Sequence, residues 1–283
     1  MGERIGAAVV RSFPEGDHPQ ASLHAASASE VALHPESLDG VFTDPPYFDN
    51  VQYAELMDFC FVWLRLGLGQ EFREFRAATT RAAGELTGNV TLGRGLEQFA
   101  SGLSEVFRHY AGALKPGAPF VFTYHHNDAD AYVPVVVAVL DAQLGCTAVL
   151  PAAAEMGASL HIARTGSSVL DSVFVCRANG PGGGDHDIEA AVAWDVAAME
   201  RAGVRIRQGD IRCLRAGHVA RVAIDLLRDE WDSEAPLDSR MAQARHCVAA
   251  VGSAVGVGRP MLQIGEGGRD SQSPGEVGRA ATV

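Results

Sequence analysis

A chain of 283 residues with 47% apolar side chains is long enough for one large domain or two small ones and has the composition of an ordinary soluble globular protein. Its net charge of −12 is the wrong sign for a protein that grips a phosphate backbone by charge alone, so any contact with nucleic acid must be local or shared. No apolar run approaches the roughly 18 residues that cross a bilayer. Met1-Gly2-Glu3-Arg4 opens neither a basic nor a signal-type segment, and we expect a cytoplasmic chain with no membrane partner. The five cysteines, Cys60, Cys146, Cys176, Cys213 and Cys247, form no CxxC pair, which argues against a zinc ribbon or a disulfide framework.

In chain order, Arg4–Ser12 and Ala21–Ala28 read as short strands, and the turn residues from His34 to Asp39 lead into a buried strand, Gly40–Thr43. From Gln52 to Leu66 the apolar residues recur closely enough to wrap a helix, so Phe59, Phe61 and Trp63 are expected in the core. Gly67 to Gly95 breaks every long period and is expected as a mobile insertion. Three-four spacing returns at Leu96–Leu114, and Lys115-Pro116-Gly117 stops that helix because proline cannot continue it and glycine allows a positive φ. Pro119–Tyr124 is a strand, Ala131–Leu144 a helix, and Cys146–Leu150 and Leu170–Arg177 are strands. Alternation of strands and helices predicts an α/β sheet with parallel pairs. Beyond a glycine-rich stretch from Asn179 to Asp187, helices are expected over Ile188–Ala202, Gly217–Arg228 and Leu237–Val251, before a disordered tail from Gly252. The arginines cluster at Arg65, Arg73, Arg76 and Arg81 and again from Arg201 to Arg221, as solvated helix faces do.

The residues that carry chemistry follow the strand at Gly40–Thr43: Asp44-Pro45-Pro46-Tyr47. An exocyclic amine is a poor nucleophile because its lone pair is delocalised into the ring, so an enzyme that alkylates it must hold both amine hydrogens. The Asp44 carboxylate can accept one and the Pro45 carbonyl the other. Both prolines stiffen the turn, and Tyr47 offers an aromatic face for a base drawn out of a duplex. Phe48 is either a second base-flanking ring or core. His125 and His126 end the next strand on the carboxyl edge, where α/β sheets place ligands, and can serve as pocket lining or as structural residues.

The motif resembles the DPP(Y/F) signature of amino-methyltransferases, and its aspartate favours the branch that acts on adenine. The string from Val41 to Arg65, VFTDPPYFDNVQYAELMDFCFVWLR, is similar to large prokaryotic adenine-specific DNA methylases that begin with a domain of unknown function. The later Leu114–His126, LKPGAPFVFTYHH, looks like the helix end, turn and strand that follow the motif in such enzymes. The resemblance implies a partial Rossmann-like class I methyltransferase sheet followed by a small helical region. Residues 1–178 would be the catalytic, target-base portion, 179–251 the helical region and 252–283 the tail. It also implies S-adenosyl-L-methionine as cofactor and DNA as partner, with Asp44, Pro45, Pro46 and Tyr47 catalytic, and Tyr47 and Phe48 binding the base.

The family's glycine-rich cofactor turn is not found. Too few residues precede Asp44 for the two strand-helix units that would hold it, and Ser27 stands about where an acidic residue contacts the cofactor adenine. Gly180-Pro181-Gly182-Gly183-Gly184 is a poor substitute because Pro181 lacks an N–H. We therefore expect the C-terminal part of a larger or split enzyme, with a second chain carrying the cofactor-binding half. In that fold the catalytic strand would be left as an exposed apolar edge. The alternative is a non-catalytic truncated remnant or accessory subunit, and related motifs also act on RNA or on glutamine side chains.

Overall fold

The computed structural model describes residues 26–255 except for residues 50, 90–92, 127, 155–167, 181, 183 and 185. The strand expected at Arg4–Ser12, most of the one at Ala21–Ala28 and the tail beyond Val255 lie outside the described residues. The elements are β1 (Val41–Thr43), α1 (Tyr53–Leu68), α2 (Leu96–Ala113), β2 (Pro119–Tyr124), α3 (Val133–Asp141), β3 (Leu144–Ala153), β4 (Leu170–Ala178), α4 (Ile188–Arg201), α5 (Gln208–Leu227) and α6 (Leu237–Ala254).

The strands form a mixed sheet in the order β1-β2-β4-β3. Only β1 and β2 are parallel; β4 runs antiparallel to both β2 and β3, so the expectation of parallel pairs holds for one pair among the described strands. The connection from β1 to β2 is long and carries two helices, as a parallel pair requires. It ends where Pro116 and Gly117, the latter at φ +74°, turn the chain out of α2 and into β2. Alternation along β2 buries Phe120, Phe122 and Tyr124, and the facing residues Phe174 and Cys176 of β4 are also buried. Phe122 and Phe174 stack with centroids 4.9 Å apart.

All the main packing falls on that face. Phe107 of α2 lies within 5.0 Å of both Phe120 and Phe122, counted between ring centroids. Tyr132, just before α3, meets Phe174 and Tyr124, and Gly217 of α5 lets that helix approach Ser172 and Val149 closely. The helices after residue 180 therefore share one hydrophobic core with the sheet. α3 is buried on every side, consistent with its continuous valines. It ends earlier than expected because Gln143 adopts a positive φ of 54°, and the following Leu144 already opens β3.

One expectation is overturned. α1 forms where its periodicity predicts, but it is not core: Phe59 is 75% exposed, Trp63 67% and Leu66 77%. The reason is a lack of cover. Only Ala54, Asp58, Phe61 and Leu68, which share one face, turn inward, and they meet no more than the Arg73–Arg76 turn and the loop beyond it. Phe61 stacks on Phe75 at 5.8 Å, while Asp58 accepts hydrogen bonds from Thr79 Oγ1 and from the backbone N–H of Thr80. The segment expected as a mobile insertion is thus tied back to α1 by specific bonds, including one from the Ala54 N–H to Glu85.

A buried carboxylate fastens the helical layer. The Asp141 side chain, fully buried at the end of α3, accepts from Trp231 Nε1 at 3.0 Å, pairs with Arg240 of α6 and lies 3.6 Å from Arg108 Nη2 of α2. Removing one member leaves the others charged and unpaired in a poorly solvated place, a loss on the order of 3 kcal/mol. Asp141→Ala should therefore lower the unfolding free energy from a urea titration by that much, and Asp141→Asn, which still accepts from Trp231, by less. A loss under about 1 kcal/mol would mean that solvent already screens the network.

Candidate active site

β1 has only three residues, and its register against β2 puts Thr43 beside Phe122. The next residue, Asp44, leaves the sheet at its carboxyl edge beside Thr123, the residue that follows Phe122. Thr123 Oγ1 and the Tyr47 hydroxyl both donate to Asp44 Oδ1, the latter at 2.9 Å. Two donors on one oxygen fix the plane of the carboxylate and leave Oδ2 to accept from something else. Asp44 is exposed and Pro45 buried, so the turn is anchored through its first proline. The turn closes at Asp49, at φ 51°, a left-handed conformation that aspartate tolerates.

Tyr47 is half-buried. Its ring meets Tyr124 edge-on at 5.4 Å and lies 6.3 Å from the His125 ring. Burial, with the nearby carboxylates of Asp171 and Asp44, pushes its phenol far above the ordinary value, so it remains a neutral donor. Phe48 turns the other way and packs edge-on against Phe99 of α2 at 5.5 Å, the core role rather than the base-flanking one. Of the two histidines, His125 joins the motif and His126 does not. His126 Nδ1 accepts from the Asp128 N–H at 2.9 Å and shapes the turn before α3.

Several neighbours of the motif come from distant parts of the chain that no sequence spacing connects to it. Thr123 reaches Asp44 only because β1 and β2 pair. Tyr53, the first residue of α1, feels the Asp44 charge, which together with burial as the larger cause raises its phenol. Asp171 and Cys213 come from β4 and α5, with Asp171 Oδ1 3.7 Å and Cys213 Sγ 3.5 Å from His125 Nδ1.

An apolar cavity of about 330 Å³ opens beside the motif on the free side of β1, between Val41, Asp44, Pro46, Leu103, Phe107 and Tyr110. Among the described residues that line it, Asp44 is the one carboxylate, and the hydroxyls are those of Thr43 and Tyr110. A zwitterionic sulfonium ligand with a ribose diol needs donors for its carboxylate and acceptors for its ammonium and hydroxyls, and these residues do not fit it. The glycine-rich stretch offers no better cradle, since Gly182 lies directly against the Asp225 carboxylate, which repels an anion, and that carboxylate is paired with His186. Ser27 is exposed; among the described contacts its hydroxyl bonds Ser29 Oγ and its carbonyl accepts from the Glu30 N–H. Among the described residues no group of three metal-ligating side chains converges, and no helix is long and apolar enough to cross a membrane.

Comparison with protein-family models, with characterised proteins and with solved structures finds no match to the chain.

The charge state of His125 is open to measurement. Burial works to lower its pKa, but the Cys213 sulfur, the Leu170 carbonyl at 2.8 Å and the Asp171 carboxylate outweigh it and raise the value from 6.5 to about 9. A folded-state pKa above the unfolded one stabilises the fold fully below about 6.5, and the contribution is lost as pH rises through about 9. The urea midpoint should fall across that window, and His125→Asn should flatten the slope. An unchanged slope in the variant would assign the titration to another group.

Proposed function

We propose that this chain is the target-base portion of an adenine-specific DNA amino-methyltransferase, acting with a second chain that brings S-adenosyl-L-methionine. The observation that carries the reading is the Asp44 carboxylate at the end of β1, with Oδ1 held by Tyr47 and Thr123 and Oδ2 left to accept an N–H. In this reading Oδ2 accepts a hydrogen bond from one N–H of the adenine amine and the Pro45 carbonyl from the other, and the proton that the methylated nitrogen sheds leaves along the hydrogen bond to the Asp44 carboxylate. The nitrogen lone pair, no longer drawn into the ring, then faces the incoming methyl group. Tyr47 supports the extruded base with its ring while its hydroxyl keeps the carboxylate oriented. The cofactor, when bound by the second chain, supplies the methyl group.

Two features support a division of labour. The cavity beside Asp44 lacks the donor set for the cofactor, and β1 lies at the sheet edge with Phe42 76% exposed, where a further strand can pair. At a net charge of −12 the chain also leaves most of the grip on phosphate to that partner. The poor fit to the cofactor equally favours a second reading, an accessory or remnant subunit that keeps the fold of the motif without the chemistry.

Calorimetric titration of S-adenosyl-L-methionine into the purified chain separates a complete enzyme from a portion. No heat of binding is expected alone, and micromolar affinity would mean that this chain holds the cofactor itself. With the complementary chain present, Asp44→Ala should reduce methyl transfer to DNA adenine by ~10²–10³-fold, the usual loss when a group that stabilises developing charge is removed. Retained transfer would refute the role given to Asp44, and absence of transfer by the wild-type pair would favour the accessory subunit.

A further inference from the structure

The four most exposed large hydrophobic side chains of α1 are Leu56 (60%), Phe59 (75%), Trp63 (67%) and Leu66 (77%). Their spacing is three, four and three residues, the a and d positions of one and a half heptads. The opposite face, Ala54, Asp58 and Phe61, is the one already occupied by the chain's own loop. α1 thus presents outward a seam of the kind that accepts knobs from another helix. Its flanks are apolar or small as well, with Cys60, Val62 and Gly67 beside the stripe.

We propose that the partner for this seam is a second copy of the chain, with the two α1 helices packed antiparallel about a two-fold axis. Three observations select that occupant. Glu55 in the first turn pairs within the chain with Arg81, and an antiparallel mate sets opposite helix dipoles side by side at both ends. Pairing Leu56 with the mate's Leu66 and Phe59 with the mate's Trp63 fills the stripe symmetrically, as an isologous interface requires. The exposed parts of Phe59 and Trp63 together with the flanking aliphatic residues come to roughly 700 Å² per copy, an upper bound on what this face buries that approaches the ~800 Å² per partner of a stable interface. This inference does not depend on the methyltransferase reading, and it uses a surface other than the β1 edge.

The test is sedimentation velocity of the full chain from about 1 to 100 µM, with Trp63→Glu and Phe59→Glu alongside. Both residues are exposed in a single chain, so far-UV circular dichroism should be unchanged by either substitution. The expected result is a species of twice the 29.9 kDa chain mass that becomes monomeric in both variants. A short bis-maleimide should also join two chains through the exposed Cys60, which lies near the centre of the seam, and Cys60→Ser or Trp63→Glu should abolish the product. A monomer at every concentration would assign the seam to a different protein and overturn the proposal. So would a dimer or larger assembly that survives both glutamate substitutions, since its contacts would lie elsewhere, as at the β1 edge.

Discussion

A three-residue strand paired on one side among the described residues fixes the position of the candidate site. Among those residues β1 meets the sheet through β2, and that pairing brings Thr123 to Asp44 and the Tyr47 ring to Tyr124. So short a strand contributes few hydrogen bonds, and its hold comes instead from what stands behind β2. Phe120 and Phe122 are clamped between Phe107 and Phe174, and β2 is paired along its full length with β4. The geometry of the motif is thus inherited from an aromatic core that contains none of its residues. Placing the functional turn at the edge of a well-packed sheet keeps it both exposed and accurately held.

The core was legible where the local signal and the tertiary environment agree. β2 falls on its expected residues, Pro119–Tyr124, because a proline-glycine stop and strict alternation act together. α5 begins nine residues before the expected Gly217, because its first turns carry Arg207, Arg212 and Arg215 with a buried Asp210, a pattern with little apolar period. There Asp210 accepts from Ser168 Oγ, the Val169 N–H and the Arg207 N–H, so the helix start is set by a buried carboxylate. α1 shows the converse. Periodicity reports that a helix is apolar, but the identity of its cover is non-local information, and here the described chain covers one narrow face.

The same distinction divides the site. Asp44, Pro45, Pro46 and Tyr47 are contiguous, and their grouping at the end of a strand could be read from residue types alone. Thr123, Asp171 and Cys213 reach the site from β2, β4 and α5, and no spacing rule links positions so far apart in the chain. His125 was visible as the end of a strand, but its partners decide its charge. The Cys213 sulfur, the bond to the Leu170 carbonyl and the contact with Asp171 raise its pKa, so a residue with two open roles favours its protonated form beside Tyr47.

The two uncovered surfaces differ in what they demand of a partner. The β1 edge offers unpaired backbone groups, which are directional and fix register, whereas the α1 stripe offers apolar area, which is worth more but specifies less. They are linked through the chain itself. α1 begins at Tyr53, whose phenol is close enough to Asp44 to respond to its charge, and Leu56, the first residue of the stripe, lies within one turn of it. Covering the stripe restrains the helix, and restraining the helix restrains the tyrosine beside the motif. A partner seated on the stripe would thus stand about one helical turn from the tyrosine beside Asp44, without any of its residues having to enter the site.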